Sequence, residues 1–183
     1  QMAQAYPHMF AGLLVYIPQQ DFSLRMNLYN VDILAFYHAE EYVHGIPNSH
    51  VQQYYDELPR LVQLPVKGIT HNDFLSLTAK ADTIQYMLTK ERCAYPKKLF
   101  YRTWMARHRT AYWITLDNIQ CGAKEATVQA EVKGNAIQIH TTGTDGLKIH
   151  IPPYLREYKD ICVSINEHKR VLAMEDLPTE IHV

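Results

Sequence analysis

The chain is poor in serine, and none of its serines occupies the setting of a common hydrolase nucleophile. Its 183 residues contain Ser23, Ser49, Ser76 and Ser164. None of them lies in a Gly-x-Ser-x-Gly segment, the strand-to-helix turn that presents a catalytic serine. These residues therefore do not supply a nucleophile of that kind.

Cysteine is also scarce. Cys93, Cys121 and Cys162 lie far apart in the sequence, with no Cys-x-x-Cys pair among them. An odd count without such pairs argues against a disulfide framework and against a zinc site. We expect each cysteine to be a small buried apolar residue, although one optional disulfide stays open.

Neither charge nor long apolar runs point to nucleic acid or membrane. The chain has 18 Lys and Arg against 19 Asp and Glu, so it lacks the basic footprint that nucleic acid or an acidic membrane surface would require. Its longest apolar runs fall well short of the ~20 residues of a membrane span. The first residues resemble the middle of a helix, so we expect the natural start to lie upstream, and the compartment stays open.

Hydrophobic periodicity divides the chain near residue 96. Before that point, apolar runs typical of buried strands alternate with helical patterns. The predicted strands cover residues 12–17, 33–37 and 61–66, and the predicted helices cover 49–58 and 77–90. We therefore expect residues 1–96 to form an α/β domain.

Beyond residue 96 the pattern changes to short alternating runs separated by turn residues. The predicted strands cover residues 98–103, 111–116, 127–133, 136–141, 147–151 and 161–165. Gly134 and Asn135 lie between two of these runs and predict a hairpin turn. The fold class expected is α/β followed by all-β, with residues 97–183 forming an antiparallel, immunoglobulin-like β-sandwich.

Two predicted strands end close to an acid and a histidine. Residues 34–41 run from apolar positions into His38, Glu40 and Glu41, and residues 65–73 run into Gly68 and His71. The carboxyl ends of neighbouring parallel strands face the ligand crevice of an α/β sheet. The spacing therefore predicts an acid–base pair at this edge, as in a catalytic triad.

These segments together resemble the C-terminal half of an α/β-hydrolase of the esterase or prolyl-oligopeptidase-like type, with an appended β-sandwich. Residues 3–12 are similar to the segment after the nucleophile elbow, residues 34–38 to the strand before the acid loop, and residues 67–71 to the loop of the catalytic histidine. Residues 102–113 and 162–171 resemble the appended sandwich, with Tyr112-Trp113 and Asn166-Glu167 at its motif positions.

The resemblance implies roles for three residues. His71 would be the general base, and Glu40 or Glu41 would orient its ring. The sequence departs from the family at Ala39, which stands for the usual Gly, and at Tyr42, which occupies the usual acid position. The residues alone leave an alternative for each role. Glu40 and Glu41 would lie in a solvated acidic loop, and His71 would be a structural loop histidine.

Other polar and aromatic clusters have simpler interpretations. His38 is expected to be structural, and His44 and His50 lack the helical spacing of metal ligands, so we predict no metal and no cofactor. Trp104, Tyr112 and Trp113 either form a sugar-stacking platform or pack in the core. A basic run at residues 102–109 is expected to be a solvated loop.

The function expected is that of the C-terminal part of a serine hydrolase acting on a carboxylic ester or peptide bond. The alternative is a non-catalytic pseudo-hydrolase or a module that binds glycan or protein. We also expect residues 1–96 to need a partner, because a parallel sheet needs neighbours on both edges. That partner would be the missing N-terminal half of the hydrolase or a second copy of the chain.

Overall fold

The computed structural model describes residues 2–16, 24–38, 42–43, 46–47, 57–66, 81–173 and 180–182. The first of these stretches begins with helix α1, Met2–Ala5, which ends before Pro7 because a residue preceding proline avoids the helical region. A 3₁₀ turn, Pro7–Met9, leads from it into the first strand.

A three-stranded parallel sheet follows. Its strands are β1 (Gly12–Tyr16), β2 (Asp32–His38) and β5 (Leu61–Val66), in the order β1-β2-β5. A short hairpin lies between β2 and β5 in the chain. Its two strands, β3 (Tyr42–Val43) and β4 (Ile46–Pro47), have two residues each. The three strands agree with the predicted runs because each is a short apolar segment bounded by turn residues.

Helix α2, Ala81–Leu88, packs on the outer strand of this sheet. Gly12 in β1 makes the close approach possible, since a Cβ there would lie 2.9 Å from the terminal methyl of Met87. The helix ends two residues before the predicted boundary at Lys90. Residues 77–80, and residues 49–56 of the other predicted helix, lie outside the described part of the chain.

Residues 98–173 and 180–182 form two β-sheets packed face to face. The larger sheet has the order β13-β12-β10-β9-β6 and the smaller sheet the order β14-β11-β8-β7. Their bounds are β6 Lys98–Thr103, β7 Thr110–Ala111, β8 Ile114–Leu116, β9 Ala126–Lys133, β10 Ala136–Thr142, β11 Leu147–His150, β12 Asp160–Ile165, β13 His168–Ala173 and β14 Glu180–His182.

Alternation along each strand builds the core between these sheets. In β9, Val128, Ala130 and Val132 are buried while Gln129 and Lys133 are exposed, the period-two pattern of a strand with one face covered. Trp113 is fully buried at the centre, and its indole N–H donates to the carbonyl of Pro96 at 2.9 Å. A second, smaller cluster of buried side chains lies in the first part of the chain.

The expected fold class, a partial α/β-hydrolase domain followed by an antiparallel β-sandwich, is wrong. The described residues are mostly β-strand, with mixed and antiparallel sheets, and they lack the helix-rich arrangement of an α/β-hydrolase. The helices among them are short, at Met2–Ala5 and Ala81–Leu88. The sequence pattern predicted longer helices than the described residues form. Periodicity over a short window indicates the position of a strand better than the length of a helix.

The sandwich itself also departs from the antiparallel expectation. Strands β10 and β12 pair in parallel, with Ala136 opposite Cys162 and Ile139 opposite Ile165. After β10 the chain crosses to the smaller sheet, where β11 pairs with β8. The chain then crosses back, and β12 runs beside β10 in the same direction. Such a crossing cannot be read from an alternating pattern, which has no information on which sheet a strand joins.

Two hairpins of the larger sheet close with two-residue turns. The predicted turn at Gly134-Asn135 is confirmed, with Lys133 opposite Ala136 and a positive φ of 58° at Gly134. The turn between β12 and β13 has positive φ at both Asn166 (45°) and Glu167 (75°). Positive φ at both central residues is the type I′ geometry that favours Asn-Gly, so Glu167 stands where glycine would be less strained.

Candidate functional site

The carboxyl ends of β2 and β5 lie side by side. The two strands pair in parallel along their whole length, and the last pair in the register is His38 with Val66. The chain therefore leaves both strands at the same edge of the sheet, the edge at which α/β proteins bind ligands. Glu40 and Glu41 follow β2 by two and three residues, and His71 follows β5 by five.

Glu40, Glu41 and His71 themselves lie outside the described residues. The same holds for His44 and His50. The predicted acid–base pair therefore stays a prediction.

Strand β2 gives this edge a rigid base. Ile33 and Ala35 on one side of the strand and Leu34 and Phe36 on the other are all buried. Burial on both faces is typical of a central strand in a parallel sheet. Strand β2 is therefore held by packing on both faces as far as Phe36.

A short 3₁₀ turn, Arg25–Leu28, joins this sheet to the sandwich through Asn27. Its amide nitrogen donates to the carbonyls of Gln4 (2.7 Å) and Arg102 (2.9 Å), and its amide oxygen accepts from the N–H of Arg102 (2.8 Å). Asn27 is 1% exposed. The side chain thus occupies the outer edge of β6 and satisfies both backbone groups of Arg102.

The Tyr101 hydroxyl makes a second connection. It lies 2.9 Å from the carbonyl oxygen of Ala5 and 2.6 Å from that of His108. Burial raises the pKa of this phenol well above its usual range. Tyr101 therefore acts here as a neutral donor between α1 and the sandwich.

Aromatic rings continue the same boundary. The Tyr6 and His108 rings meet edge to face at 4.8 Å between centroids, and the His8 and Tyr112 rings at 6.3 Å. Tyr112 has a φ of 56°, which is unusual for a bulky residue. It occupies the tight turn between β7 and β8, next to the buried Trp113.

Several buried polar atoms at this boundary have no hydrogen-bond partner among the described residues. They are His8 Nδ1 and the hydroxyls of Tyr112 and Tyr154. Burial lowers the pKa of His8, with Arg92 as the second cause. Burial raises the pKa of Tyr154 to about 12, and Cys93 beside it adds to the shift.

Of the two interpretations of the aromatic residues, packing in the core holds for Trp113, and the three rings do not form a common platform. Trp113 is in the core, Tyr112 is partly buried at the boundary, and Trp104 is 43% exposed on the surface. The basic run is largely exposed as predicted, and Arg102 forms an ion pair with Glu125 at 3.4 Å.

The cysteines are all free. Cys93 and Cys162 are partly buried, whereas Cys121 is exposed. The expectation that each would be a buried apolar residue is therefore wrong for Cys121, which lies in a glycine-containing turn with Gly122.

Sequence reasoning missed a groove on the outer face of the larger sheet. It encloses about 420 Å³ and runs across β6, β9, β10 and β12. Its floor consists of outward-pointing side chains: Lys98, Phe100, Gln129, Glu131, Gln138, His140 and Ser164. The signal available in the sequence was the run of amides and hydroxyls at outward positions of adjacent strands, which looks like ordinary polar surface until the strand order is known.

Neither a metal-binding cluster nor a membrane-spanning helix is present in the part of the chain that the structure describes. Within it, no group of three or more His, Cys, Asp or Glu side chains is arranged to hold a metal ion. The helices that the structure describes are too short and too polar to cross a membrane.

Comparison with known proteins identifies no relative: no family model, curated protein or solved structure matches this chain.

Proposed function

We propose that the chain carries the acid and the base of a serine-hydrolase active site, as part of an esterase or prolyl-oligopeptidase-like enzyme. The substrate is a carboxylic ester or a peptide. His71 is the general base, and Glu40 or Glu41 orients it. The serine nucleophile and the oxyanion hole come from outside these 183 residues, because no serine here has the setting of a nucleophile elbow.

One observation carries this proposal: the parallel register that ends with His38 beside Val66. Neighbouring strands lie ~4.8 Å apart, so the two following segments start as neighbours. An extended chain spans up to ~3.5 Å per residue, which gives Glu41 a reach of ~10 Å from β2 and His71 a reach of ~17 Å from β5. The two side chains are therefore within reach of each other.

The chemistry follows from these roles. The serine hydroxyl attacks the carbonyl carbon while His71 accepts its proton, and the carboxylate stabilises the imidazolium that forms. His71 then gives that proton to the departing alkoxide or amine as its bond to the carbonyl carbon breaks. Water, deprotonated by the same histidine, releases the acid and restores the serine.

The experiment uses the protein encoded by the complete reading frame. We expect a Gly-x-Ser-x-Gly segment shortly before Gln1 and covalent labelling of its serine by a fluorophosphonate. His71→Ala should abolish labelling and lower kcat for a p-nitrophenyl ester by about 10³-fold or more. His168→Ala, which changes an exposed histidine of the sandwich, is the matched control and should leave both unchanged.

Two outcomes would contradict the proposal. Labelling of His71→Ala at the wild-type rate would remove the base. A full-length protein with no reactive serine would instead be the non-catalytic alternative, a pseudo-hydrolase.

A further inference from the structure

The groove on the larger sheet has the chemistry of a site for a neutral polyhydroxyl chain. We propose that it binds a neutral carbohydrate polymer. The surface involved, here called the sheet groove, is defined by Phe100, Gln129, Glu131, Gln138, His140 and Ser164. This activity is independent of the hydrolase proposed above.

Strand register places these side chains in two rows across the sheet. Phe100, Gln129 and His140 are successive cross-strand partners on β6, β9 and β10. The second row continues from Glu131 to Gln138 on β10 and to Ser164 on β12. Partners in one row point to the same face, so their polar groups converge on one ligand.

The polar groups of these rows are available for a ligand. Gln129, Gln138, His140 and Ser164 make no side-chain hydrogen bond with any described residue. By contrast, nearby polar side chains are already used within the sheet: Thr127 bonds Thr142, and Thr141 bonds the carbonyl of Thr127. Amides, imidazole and hydroxyl each offer donors and acceptors, which matches sugar hydroxyls that do both.

The charges in the sheet groove compensate one another. Glu131 lies opposite Lys98 on the neighbouring strand and 2.8 Å from the ammonium of Lys133. The hydrogen bond from Lys133 holds the pKa of Glu131 below its usual range, so the carboxylate stays ionised and paired. Glu167 also lines the groove, so its charged side chains are Lys98, Glu131 and Glu167, with Lys133 paired to Glu131 beside it. This lining has no excess of positive charge to attract an anionic chain such as nucleic acid, and it favours a neutral one.

One end of the sheet groove is apolar. The rings of Phe100 and Tyr29 contact each other with centroids 4.9 Å apart, and the ammonium of Lys98 lies 5.2 Å from the Phe100 centroid. Lys98 is thereby held against the Phe100 ring at this end of the floor. An apolar wall beside a few aligned polar groups is the usual composition of a ligand site.

The shape fits a segment of a chain rather than a single small molecule. Three strand spacings separate Lys98 from Ser164, which makes the floor ~14 Å long. Its volume is about 420 Å³. An elongated floor of this kind suits a segment of a polymer.

The test measures glycan binding by the protein encoded by the complete reading frame. Native gels containing laminarin, mixed-linkage β-glucan, galactomannan or arabinoxylan are compared with gels containing polygalacturonate, and Kd is measured by calorimetry for any glycan that retards migration. We expect at least one neutral glycan to bind, and the Gln129→Ala/Gln138→Ala double variant to weaken that binding by about tenfold or more, because several hydrogen bonds are lost. Gln85→Ala, an exposed glutamine on helix α2, should leave Kd unchanged.

Mapping amide chemical shifts in the wild type provides a measurement that needs no variant to fold. Shifts centred on β9, β10 and β12 support the proposal. The proposal is overturned if none of the neutral glycans binds, or if the chain prefers polygalacturonate. It is also overturned if the double variant binds as the wild type does, or if the shifts centre on another surface.

Discussion

The side-chain amide of Asn27 pairs with the backbone of Arg102 as a neighbouring strand would. Its oxygen accepts from the Arg102 N–H at 2.8 Å and its nitrogen donates to the Arg102 carbonyl at 2.9 Å. Asn166 repeats this arrangement inside the larger sheet, where its amide pairs with both backbone groups of Thr141. In both places one side chain replaces a segment of β-ladder.

Replacing Asn27 by alanine should destabilise the protein strongly. The change removes two hydrogen bonds to the backbone of Arg102 and one to the carbonyl of Gln4, and each such loss costs roughly 1–3 kcal/mol. We expect the free energy of unfolding in urea to fall by about 3 kcal/mol in total. Asn30→Ala is the control, because Asn30 is partly exposed and makes a single bond to the Lys98 carbonyl. Equal losses in the two variants would contradict the role assigned to Asn27.

Two glycines with similar backbone angles should respond differently to alanine. A Cβ at Gly143 would lie 2.1 Å from the Glu125 carbonyl oxygen, whereas at Gly122 it would meet nothing within 4 Å. Both have positive φ, so each alanine costs about 1 kcal/mol in backbone strain. Gly143→Ala should cost several kcal/mol more through the overlap. Thermal unfolding of the two variants checks the difference, and similar Tm values would refute it.

Glu167→Gly should stabilise the protein by about 1 kcal/mol, because glycine adopts the positive φ at this position without strain. Asn166→Gly, at the neighbouring positive φ, should destabilise it, since the variant loses the pair with Thr141. Chemical denaturation of both variants measures the two signs. A destabilised Glu167→Gly protein would show that this turn carries little strain.

Stability should fall as acid protonates His8. Burial lowers the pKa of His8 below its ordinary value of 6.5, with Arg92 as the second cause. The unfolded chain therefore binds the proton more readily, and stability is lost as the pH falls from above 6.5 through the lowered pKa. His8→Phe keeps a ring beside Tyr112 and should make the free energy of unfolding less dependent on pH in this window. His168→Phe, at an exposed position, is the control, and an unchanged slope in His8→Phe would contradict the prediction.

The acid of the proposed triad can be assigned by two amide replacements. If the proposed hydrolase activity is present, whichever of Glu40→Gln and Glu41→Gln removes the partner of His71 should lower kcat by about 10²-fold or more, with a smaller effect on KM. The other variant serves as its control. If both variants keep wild-type kcat, the acid lies elsewhere or is absent.

Strand positions were predictable from this sequence to within a few residues. The runs at Leu61–Val66 and Lys98–Thr103 were predicted with the observed bounds, because alternation or an unbroken apolar run is set by the strand's own burial. The assignment of strands to sheets was not predictable. The parallel pairing of β10 with β12 depends on where β11 goes, and no local pattern records it.

The candidate sites were also predictable from the sequence only in part. The strand ends before Glu40 and His71 followed from periodicity alone. The role of Asn27 could not be predicted from periodicity. In the sequence, a polar loop residue looks the same whether it pairs with the edge of a strand 75 residues away or faces water. The sheet groove needed the register of four strands before its amides could be recognised as neighbours.

The contact at Asn27 makes residue 96 a poor place to cut the chain. A truncated chain starting at residue 97 would lose the side chains that cover the outer edge of β6, including Asn27 and Asn30. Its exposed strand would then offer unpaired N–H and carbonyl groups to any other strand, the usual origin of edge-to-edge aggregation. The first part of the chain therefore protects the edge strand of the sandwich from pairing with other chains, independently of any chemistry that it carries.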